Sequence, residues 1–379
     1  MSRRRFRPAH WGEPTRRDDA CGQRWAGRGG LSCRIVANVP SVIPGVDLKV
    51  LRDWMDERAL GAGPIEDTEL IAGGTQNVLL RFRRGDRLYV LRRPPLHKRA
   101  NSDETMRREA RVLGALAGSA VPHPGLIAAE PDTEVLDAAF YLMEPIDGFN
   151  PSLGLPAAYG SEEWQRAMGF SMVDAIASLA MVDHVAAGLG DLGKWDGWGE
   201  RQVGRWRKQL DGYSELPGYP GPDLPGVDAV GEWLDAHRPG DLRPGLIHGD
   251  FHFANVLFRH DQPRLAAMVD WELVTVGDPL LDLGHLLATW PSPDRVSVGL
   301  FAPGLPQPDE LVAHYATLTG RPVADVLWFR VLACYRLGLI LEGTHARAFA
   351  GMAPKETGDQ LHAHTVSLLE QALRLIEAA

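Results

Sequence analysis

The spacing of apolar residues changes along the chain from helical to strand-like and back, and each change predicts an element. Between residues 47 and 60, apolar positions recur at helical spacing, which predicts an amphipathic opening helix. Residues 69–95, ELIAGGTQNVLLRFRRGDRLYVLRRPP, instead hold apolar, β-branched runs separated by the turn signals GGTQN and RRGD. This stretch predicts three antiparallel strands, and Pro94 and Pro95 end the third.

A helix and a fourth strand are predicted next. In NSDETMRREARVLGAL, residues 101–116, Asn101 or Ser102 can cap the helix N-terminus, acidic residues follow in the first turn, and apolar residues face a core. The segment AAFYLMEPIDG predicts a strand over residues 139–143, which runs into a link marked by proline and glycine.

The composition changes after this link, which divides the chain into two predicted lobes. Residues 164–183 show helical spacing, and most of the later sequence is helical or loop, with one β-hairpin in residues 256–270. We therefore predict an α+β protein with a bilobal fold. Residues 45–145 form a lobe of antiparallel sheet plus helix, and residues 146–379 form a mostly helical lobe that contains the hairpin.

The first 44 residues differ from both lobes. They are rich in arginine, glycine and proline and show little apolar periodicity, so they cannot offset the entropy cost of ordering. We expect a flexible arm, with a phosphate- or partner-binding arm as the alternative. The first residues resemble a twin-arginine export signal, but the apolar region of about 7 to 15 residues that such a signal needs does not follow.

Composition and charge argue against several classes of protein. With 379 residues, 45% of them hydrophobic, the chain can bury a large core. A net charge of −9 argues against a nucleic-acid-binding surface, which needs clustered basic residues. The three cysteines, Cys21, Cys33 and Cys334, suit neither a disulfide framework nor a zinc quartet, and no apolar run approaches the roughly 20 residues of a membrane span. We expect a soluble, cytoplasmic protein.

Candidate chemistry is concentrated in HGDFHFAN, residues 248–255, and in the hairpin that follows it. A strand, a turn and a second strand ending at Asp270 are predicted there. Pairing about that turn places Asn255 opposite residue 268, two residues before Asp270. Since neighbouring strands lie about 4.8 Å apart, the oxygens of Asn255 and Asp270 can converge on one small ion, with Asp250 beside them.

Two carboxylates and an amide oxygen are hard ligands that suit Mg²⁺ held together with substrate phosphates. This donor set points to phosphoryl transfer, in which the metal neutralises phosphate charge. An aspartate with an ordinary pKa of about 3.9 is too weak a base to deprotonate an alcohol in advance. We therefore assign to Asp250 the role of orienting the acceptor hydroxyl and accepting its proton late.

Two other interpretations of the motif stay open at this point. His248 and His252 are four residues apart, which on a helix would place them on one face as in zinc sites, although Gly249 and the following strand pattern argue against a helix. The second interpretation is a turn formed by His-Gly-Asp that has no chemical role.

HGDxxxxN, the hairpin, VDWE and the downstream GDPLLDLGHLL together resemble the aminoglycoside phosphotransferase family, a branch of the protein-kinase-like fold. The resemblance covers most of the chain and implies that Asp250 is the catalytic base. It also implies that Asn255 and Asp270 hold magnesium. His248 is then expected to brace the catalytic loop, and Asp282 to hydrogen-bond the backbone of that loop.

The resemblance gives the first lobe a nucleotide-binding role. The GGTQN turn can fold its backbone amides over the phosphates because glycine permits close approach, although Gly-Gly turns are also common without any ligand and the Walker pattern GxxxxGK[ST] is absent. The residues concerned are Gly73, Gly74, Thr75 and Asn77. The link LMEPIDG corresponds to the hinge that receives adenine, with Met143, Glu144 and Ile146.

Arg92 departs from the family pattern. It stands in YVLR where the family usually has a lysine that contacts the α- and β-phosphates, and Glu109 matches the helix glutamate that pairs with that lysine. Arginine keeps the charge but is bulkier and carries a planar fork. The alternative is that Arg92 and Arg93 are solvated strand residues and that Glu109 is a surface charge. The expected ligands are ATP, or GTP in its place, together with Mg²⁺.

The sequence shows no acidic run of the kind that a polycationic aminoglycoside needs in an acceptor pocket. Residues 200–210, ERQVGRWRKQL, and the later helix around Arg336 are instead rich in arginine and aromatic residues. RQVGRW also resembles the subgroup whose domain is fused to acyl-CoA dehydrogenases, which implies hydroxyacyl acceptors. The candidate acceptor residues are Arg201, Trp206 and Arg336, with a solvated, stem-packing face as the alternative.

We therefore predict an ATP- and Mg²⁺-dependent phosphotransferase that acts on a hydroxyl of a small molecule, either aminoglycoside-like or a hydroxy acid or hydroxyacyl compound. The alternative from another class is a nucleotide-binding pseudokinase with an interaction or regulatory role, which Arg92 alone supports. The predicted partners are a nucleotide and a small acceptor, with no nucleic acid and no membrane. The sequence indicates no oligomeric state.

Overall fold

The computed structural model describes residues 43–71, 77–291, 300 and 302–379. The predicted arm therefore lies almost wholly outside the described residues. The first part of the fold is a five-stranded antiparallel sheet with two helices, and the strands lie in the order β1-β2-β3-β5-β4. Its elements are α1 (Leu48–Glu57), β1 (Ile65–Leu70), β2 (Val78–Arg84), β3 (Arg87–Arg93), α2 (Ser102–Ala115), β4 (Leu126–Glu130) and β5 (Phe140–Met143).

Alternation along β5 places the sheet between two hydrophobic clusters. Phe140 and Leu142 belong to the smaller cluster, together with Trp54 of α1. Tyr141 points the other way and belongs to the larger cluster, together with Leu113 of α2. Because the larger cluster continues into the second part of the chain, α2 shares its core with the helical lobe.

The helices and strands that periodicity predicts in this part are present, although β1 begins at Ile65, four residues before the predicted stretch. One further strand is not predicted. Strand β4 has the sequence LIAAE and pairs with β5 at the edge of the sheet. It is short, and two neighbouring alanines remove the alternation by which a strand is recognised.

The second part contains seven helices and two small antiparallel sheets within the described residues. The helices are α3 (Glu162–Ala180), α4 (Arg201–Gly212), α5 (Val227–Ala236), α6 (Leu280–Ala288), α7 (Pro308–Thr319), α8 (Val326–Phe349) and α9 (Lys355–Glu377). The strands are β6 (Gly245–Ile247), β7 (Val256–Phe258), β8 (Leu265–Met268) and β9 (Thr275–Gly277). None of the helices described here has an apolar stretch sufficient to cross a bilayer.

The predicted hairpin is present as β7 and β8, but its predicted register is wrong by one residue. Val256 faces Met268, because an extra residue in β8, Ala266, forms a bulge between the pairs Leu257–Ala267 and Phe258–Leu265. Asn255 therefore lies beside Val269, whose amide donates to the Asn255 carbonyl at 3.0 Å. The shift brings Asp270 one residue closer to Asn255 than the sequence predicts.

The second small sheet, β6 with β9, has no counterpart in the predictions. Leu246 pairs with Val276 in an antiparallel register. Strands of three residues are too short to show a period, so only the folded chain reveals them. This sheet holds the two ends of the segment that contains the HGDFHFAN loop and the hairpin.

Candidate active site

The loop between β6 and β7 is held in place by a buried carboxylate. Asp282, in the first turn of α6, accepts hydrogen bonds from the backbone amides of His248 at 2.7 Å and Gly249 at 2.9 Å. Gly249 has a φ of 84°, and a Cβ at this position would lie 2.5 Å from the carbonyl oxygen of Leu273. The sequence therefore fixes the backbone immediately before Asp250.

Asp250 carries a carboxylate that is 28% exposed and surrounded by donors. The Asn255 Nδ2 donates to its Oδ2 at 3.0 Å and to its backbone carbonyl at 2.9 Å. The Nε2 of His285 lies 3.4 Å from Oδ1, and that of His252 lies 3.6 Å from Oδ2. Desolvation raises the pKa of Asp250, but His252, His285 and Arg336 outweigh it and hold the pKa well below its ordinary value. The carboxylate is therefore ionised at neutral pH.

Arg92 joins the sheet to the catalytic hairpin. Its Nε lies 2.9 Å from the Glu109 Oε2, and its Nη2 donates to the Asp270 Oδ1 at 2.8 Å. Tyr141 donates its hydroxyl to the Glu109 Oε2 at 2.7 Å. Arg92 and Glu109 are 7% and 1% exposed, so the alternative that treated them as solvated surface charges is wrong. Burial lowers the pKa of Arg92, but the Glu109 charge opposes this and the net pKa is raised.

Asp270 follows β8 with a left-handed φ of 66°, a conformation that costs a non-glycine residue about 1–3 kcal/mol and is typical of functional sites. Glu272 stands two residues later, and an oxygen of it lies within 4.8 Å of one from Asp270. The Asn255 Nδ2 is committed to Asp250, so Oδ1 is the atom that can bind a cation. Asn255, Asp270 and Glu272 thus offer hard oxygen donors that fit magnesium.

His248 and His252 do not form the zinc pair that their spacing allowed. The buried His248 ring contacts the Val269 carbonyl through Nε2 at 3.0 Å and accepts the Asp250 amide at Nδ1 at 3.3 Å. Burial lowers the pKa of His248 to about 4. The His252 Nδ1 accepts the amide of Ala254 at 3.1 Å. His248 therefore connects the loop to the hairpin, while His252 contacts Asp250.

Two residues of the site, His285 and Glu272, have no place in the sequence predictions. His285 follows Asp282 by three residues in α6, so both side chains face the catalytic loop. Both nitrogens of the His285 ring are buried, and neither has a hydrogen-bond partner among the residues that the structure describes. His285 lies three residues after Asp282, and Glu272 lies two residues after Asp270. These spacings are the sequence signals that could have identified the two residues.

The predicted nucleotide-binding residues are only partly described by the structure. Met143 ends β5, and the Glu144 amide donates to the Gly125 carbonyl at 2.8 Å, so this amide is already used within the protein. The Glu144 carboxylate pairs with Arg87 at 3.2 Å. Ile146 lines a cavity of about 610 Å³ between α3 and the tip of the hairpin. Asn77 immediately precedes β2, and the residues that lie outside the described ranges are Gly73, Gly74 and Thr75.

The three predicted acceptor residues have different surroundings. The Arg201 guanidinium donates to two backbone carbonyls of the loop before α4 and closes that loop. The Trp206 ring contacts two guanidinium groups, with the Cζ of Arg205 at 4.8 Å and that of Arg336 at 5.2 Å from its centroid. Arg336 is buried, and within the described part of the chain its Nη1 has no hydrogen-bond partner. Burial lowers the pKa of Arg336, which the negative charge of Asp250 partly opposes.

A sheet lobe holds a buried arginine–glutamate pair, and its arginine also contacts Asp270 beside the aspartate loop of a helical lobe. This arrangement defines a fold of the protein-kinase-like class. A family model described as "Phosphotransferase enzyme family" (APH) matches residues 67–327, which is more than half of the chain. The chain belongs to this family.

Relatives of known sequence and structure agree with this assignment. Acyl-CoA dehydrogenase family member 11 of Homo sapiens is 29% identical over 80% of this chain, which corresponds to 40% of that protein. The chain thus spans less than half the length of this relative. A crystal structure of a Ralstonia eutropha protein with a provisional aminoglycoside phosphotransferase assignment is 30% identical, has a TM-score of 0.72, and is covered over 98% of its length by 86% of this chain.

A more distant structure shares the fold alone. The GDP complex of wild-type aminoglycoside 2'-phosphotransferase-IIIa is 14% identical and has a TM-score of 0.58, with 88% of this chain and 100% of that chain covered. The predicted bilobal, protein-kinase-like α+β fold is therefore confirmed.

Replacing His285 with leucine is expected to make the protein less sensitive to acid. Burial lowers the pKa of His285 to about 3, so the folded protein favours the neutral ring. A lowered folded-state pKa stabilises the protein above about pH 6.5, and this stabilisation is lost as the pH falls toward 3. In urea titrations, the free energy of unfolding should decrease from pH 7 to pH 4 in both proteins. The decrease should be about 2–3 kcal/mol smaller in His285→Leu than in the wild type.

The matched control is His314→Leu, because His314 lies at the surface, where it pairs with Asp174. This variant should keep the acid sensitivity of the wild type. A His285→Leu protein that loses as much stability on acidification as the wild type contradicts the expectation.

Proposed function

We propose that the protein is an ATP-dependent phosphotransferase, with GTP as the possible alternative donor, that transfers the γ-phosphate to a hydroxyl group of a small molecule. The observation that carries this proposal is the arrangement around Asp250. Asn255, one residue before the hairpin, donates a hydrogen bond to the ionised Asp250 carboxylate. At the other end of the hairpin, Asp270 accepts a hydrogen bond from Arg92.

Asp250 performs the proton chemistry in this proposal. Because its pKa is held well below the ordinary value, its carboxylate accepts a hydrogen bond from the acceptor hydroxyl and takes the proton only as the oxygen–phosphorus bond forms. Asn255 fixes the direction of the carboxylate through Nδ2. Arg92 supplies a fixed positive charge next to Asp270, where a nucleotide's phosphates would be received.

Magnesium fits the oxygen donors Asn255 and Asp270, with Glu272 close by, and would supply charge neutralisation at the phosphate oxygens. Asn255 contributes its Oδ1, since Nδ2 is bonded to Asp250. Asp270 is kept in position by Arg92 at 2.8 Å.

The nucleotide is assigned to the cleft beneath the sheet. The neighbour aminoglycoside 2'-phosphotransferase-IIIa was solved with GDP, which supports a bound nucleotide for this chain and keeps GTP as the alternative donor. The turn of residues 73–77 is proposed to cover the phosphates, and Met143 to Ile146 to contact the base. Since the Glu144 amide donates to Gly125, the base contacts would use the Glu144 carbonyl and the Ile146 amide.

An anionic acceptor is favoured over an aminoglycoside. Arg336 lies close enough to Asp250 to influence its pKa, and Arg205 contacts the same Trp206 ring as Arg336. Positive charge near the acceptor hydroxyl repels a polycation and attracts a carboxylate or phosphate. Relatives named for acyl-CoA dehydrogenases support a hydroxy acid or hydroxyacyl acceptor.

Replacing Arg336 with methionine is expected to reduce the preference for anionic acceptors. Hydroxy acids, their uncharged amides and aminoglycosides would be compared by ADP release from Mg²⁺-ATP. The loss of a charge-assisted hydrogen bond should lower kcat/KM for the hydroxy acid by roughly 10–100-fold relative to its amide. Arg374→Met, at an exposed position of α9, is the matched control and should leave this ratio unchanged.

ADP release with aminoglycosides alone would overturn the acceptor assignment while supporting phosphoryl transfer. The absence of Mg²⁺-dependent turnover with every acceptor class would instead favour the alternative, a nucleotide-binding pseudokinase. That alternative rested on Arg92, and Arg92 makes the ion pair with Glu109 that its position predicts. The cytoplasmic location stays a prediction of the sequence.

A further inference from the structure

A second cluster of metal-ligating side chains lies on the helical hairpin of α8 and α9. Glu342 and His345 are one turn apart on α8, and His362 faces them from α9. Each of the three offers a ligand atom, and these atoms lie within 4.8 Å of one another. None of the three contributes to the arrangement around Asp250.

The polar groups of this cluster are only partly satisfied by the protein. Glu342 is completely buried, and its two oxygens contact the Tyr219 hydroxyl at 2.7 Å and the His362 Nδ1 at 2.8 Å. The rings of His345 and His362 stack with their centroids 4.4 Å apart. The His345 Nδ1 is buried and lies 3.7 Å from a carboxylate oxygen of Asp359, and no described residue makes a hydrogen bond to it. A buried nitrogen of this kind is destabilising unless something binds it.

We propose that Glu342, His345 and His362 bind a zinc ion. Two imidazole nitrogens and one carboxylate oxygen form a donor set that zinc prefers, whereas magnesium prefers oxygen alone. With bonds of about 2.0–2.2 Å, two ligands at a tetrahedral angle lie roughly 3.3 Å apart. To hold the ion, the 2.8 Å contact between Glu342 and His362 would open by about half an ångström, and ligand atoms that now lie up to 4.8 Å apart would move closer together.

Two neighbours are placed to orient the ligands. Tyr219 donates to one oxygen of Glu342, which leaves the other oxygen directed at His362. Asp359, one turn before His362 on α9, approaches the His345 ring. Such outer contacts fix the carboxylate and the ring in the positions that a metal requires. The fourth coordination position is open to water or to a side chain that moves in.

The ion would cross-link α8 to α9. Helix α8 also carries Arg336, six residues before Glu342. Because Arg336 is a proposed acceptor-binding residue, the metal would also stiffen the helix that would contact the acceptor. The inference does not depend on the proposed phosphoryl transfer, because it concerns a separate set of side chains. The inference predicts that the protein binds a zinc ion and that this ion raises its thermal stability.

The test uses the full chain, freed of metal by dialysis against a chelator and then titrated with Zn²⁺ alone. Calorimetry should detect one equivalent bound with a Kd below about 1 µM. Co²⁺ in place of Zn²⁺ should give the visible absorption of a four-coordinate site. His345→Gln and His362→Gln should each weaken Zn²⁺ binding by roughly 100-fold or more. Zinc should raise the melting temperature of the wild type and not that of either variant.

His252→Gln serves as the matched control, because His252 belongs to a different cluster with two histidines among the described residues, Asp250–His252–His285. This variant should bind Zn²⁺ as the wild type does. Both His345 and His362 are partly exposed, so each position is expected to accept glutamine without unfolding. Zinc binding is measured separately for each variant, and circular dichroism checks that each one is folded. The proposal is overturned if the wild type binds no tight equivalent, or if His252→Gln loses the equivalent while both α8–α9 variants keep it.

Discussion

Asp250→Asn should lower kcat for phosphoryl transfer by about 10²–10⁴-fold, the range expected when a positioned proton acceptor is removed. The amide keeps the shape of the side chain but cannot take the proton of the acceptor hydroxyl. The Kd for Mg²⁺-nucleotide should change little, because Asp250 is assigned to the acceptor side of the site. ADP release and nucleotide titration of the same preparations measure the two effects separately.

The matched control for this prediction is Asp261→Asn. Asp261 sits at the turn of the same hairpin, where its exposed carboxylate pairs with Arg259. This change should leave kcat at the wild-type value. Equal turnover by the wild type and Asp250→Asn, with nucleotide still bound, would remove the assignment of Asp250 and with it the proposed reaction.

Arg92→Met should destabilise the protein by about 3–5 kcal/mol, since removal of one partner of a buried ion pair leaves an uncompensated charge. The remaining partner would be Glu109, which is 1% exposed. Among the described residues, the Tyr141 hydroxyl is the donor that would still contact it. Asp270 would also lose the contact that positions it. Urea unfolding measures the stability loss, and phosphoryl transfer should decrease in parallel.

Two further variants bracket this result. Arg92→Lys keeps the charge and should cost less stability than methionine, although a lysine cannot contact both carboxylates as a planar fork does. Arg81→Met changes a neighbouring arginine of the sheet whose ion pair with Glu69 is exposed, and it should alter stability by less than about 0.5 kcal/mol. An Arg92→Met protein as stable as the Arg81→Met protein would show that the buried pair contributes little.

The parts of the fold that the sequence predicts are those in which local pattern and final structure agree. Strands β2 and β3 are apolar runs on either side of the RRGD turn. Helix α2 has its N-cap position, Asn101, its first-turn acids and its apolar face within one segment, although the Asn101 side chain makes no capping hydrogen bond. The motif residues Asp250, Asn255 and Asp270 lie within a single loop and hairpin, so a short stretch of sequence brings them together. Their identity as one site therefore requires little knowledge of the tertiary fold.

The remaining features depend on contacts between distant segments. A bulge at Ala266 of β8 shifts the hairpin by one residue, and no turn signal in the sequence encodes it. His285 reaches Asp250 only because α6 packs against the catalytic loop through Asp282. Glu272 gains its place from the backbone conformation of Asp270.

The arginines of α4 show why side-chain direction is difficult to predict from composition. Arg201 and Arg205 are one helical turn apart, and the pattern alone does not distinguish them. In the fold, Arg201 bonds backbone carbonyls of the preceding loop, whereas Arg205 contacts Trp206 next to Arg336. Arg205 was not among the predicted acceptor residues, and its role follows from this contact.

The division of the sheet between two hydrophobic clusters has an energetic consequence. One face of β5 packs with α1 in a small cluster, and the other packs with α2 in the cluster that runs through the helical lobe. Two layers of unequal size are expected to open with unequal free energies, the smaller one first. A molecule that bridges β3 and the catalytic hairpin would tie the weaker layer to the stronger, so part of its binding free energy would appear as protection of α1 and β1 against local unfolding.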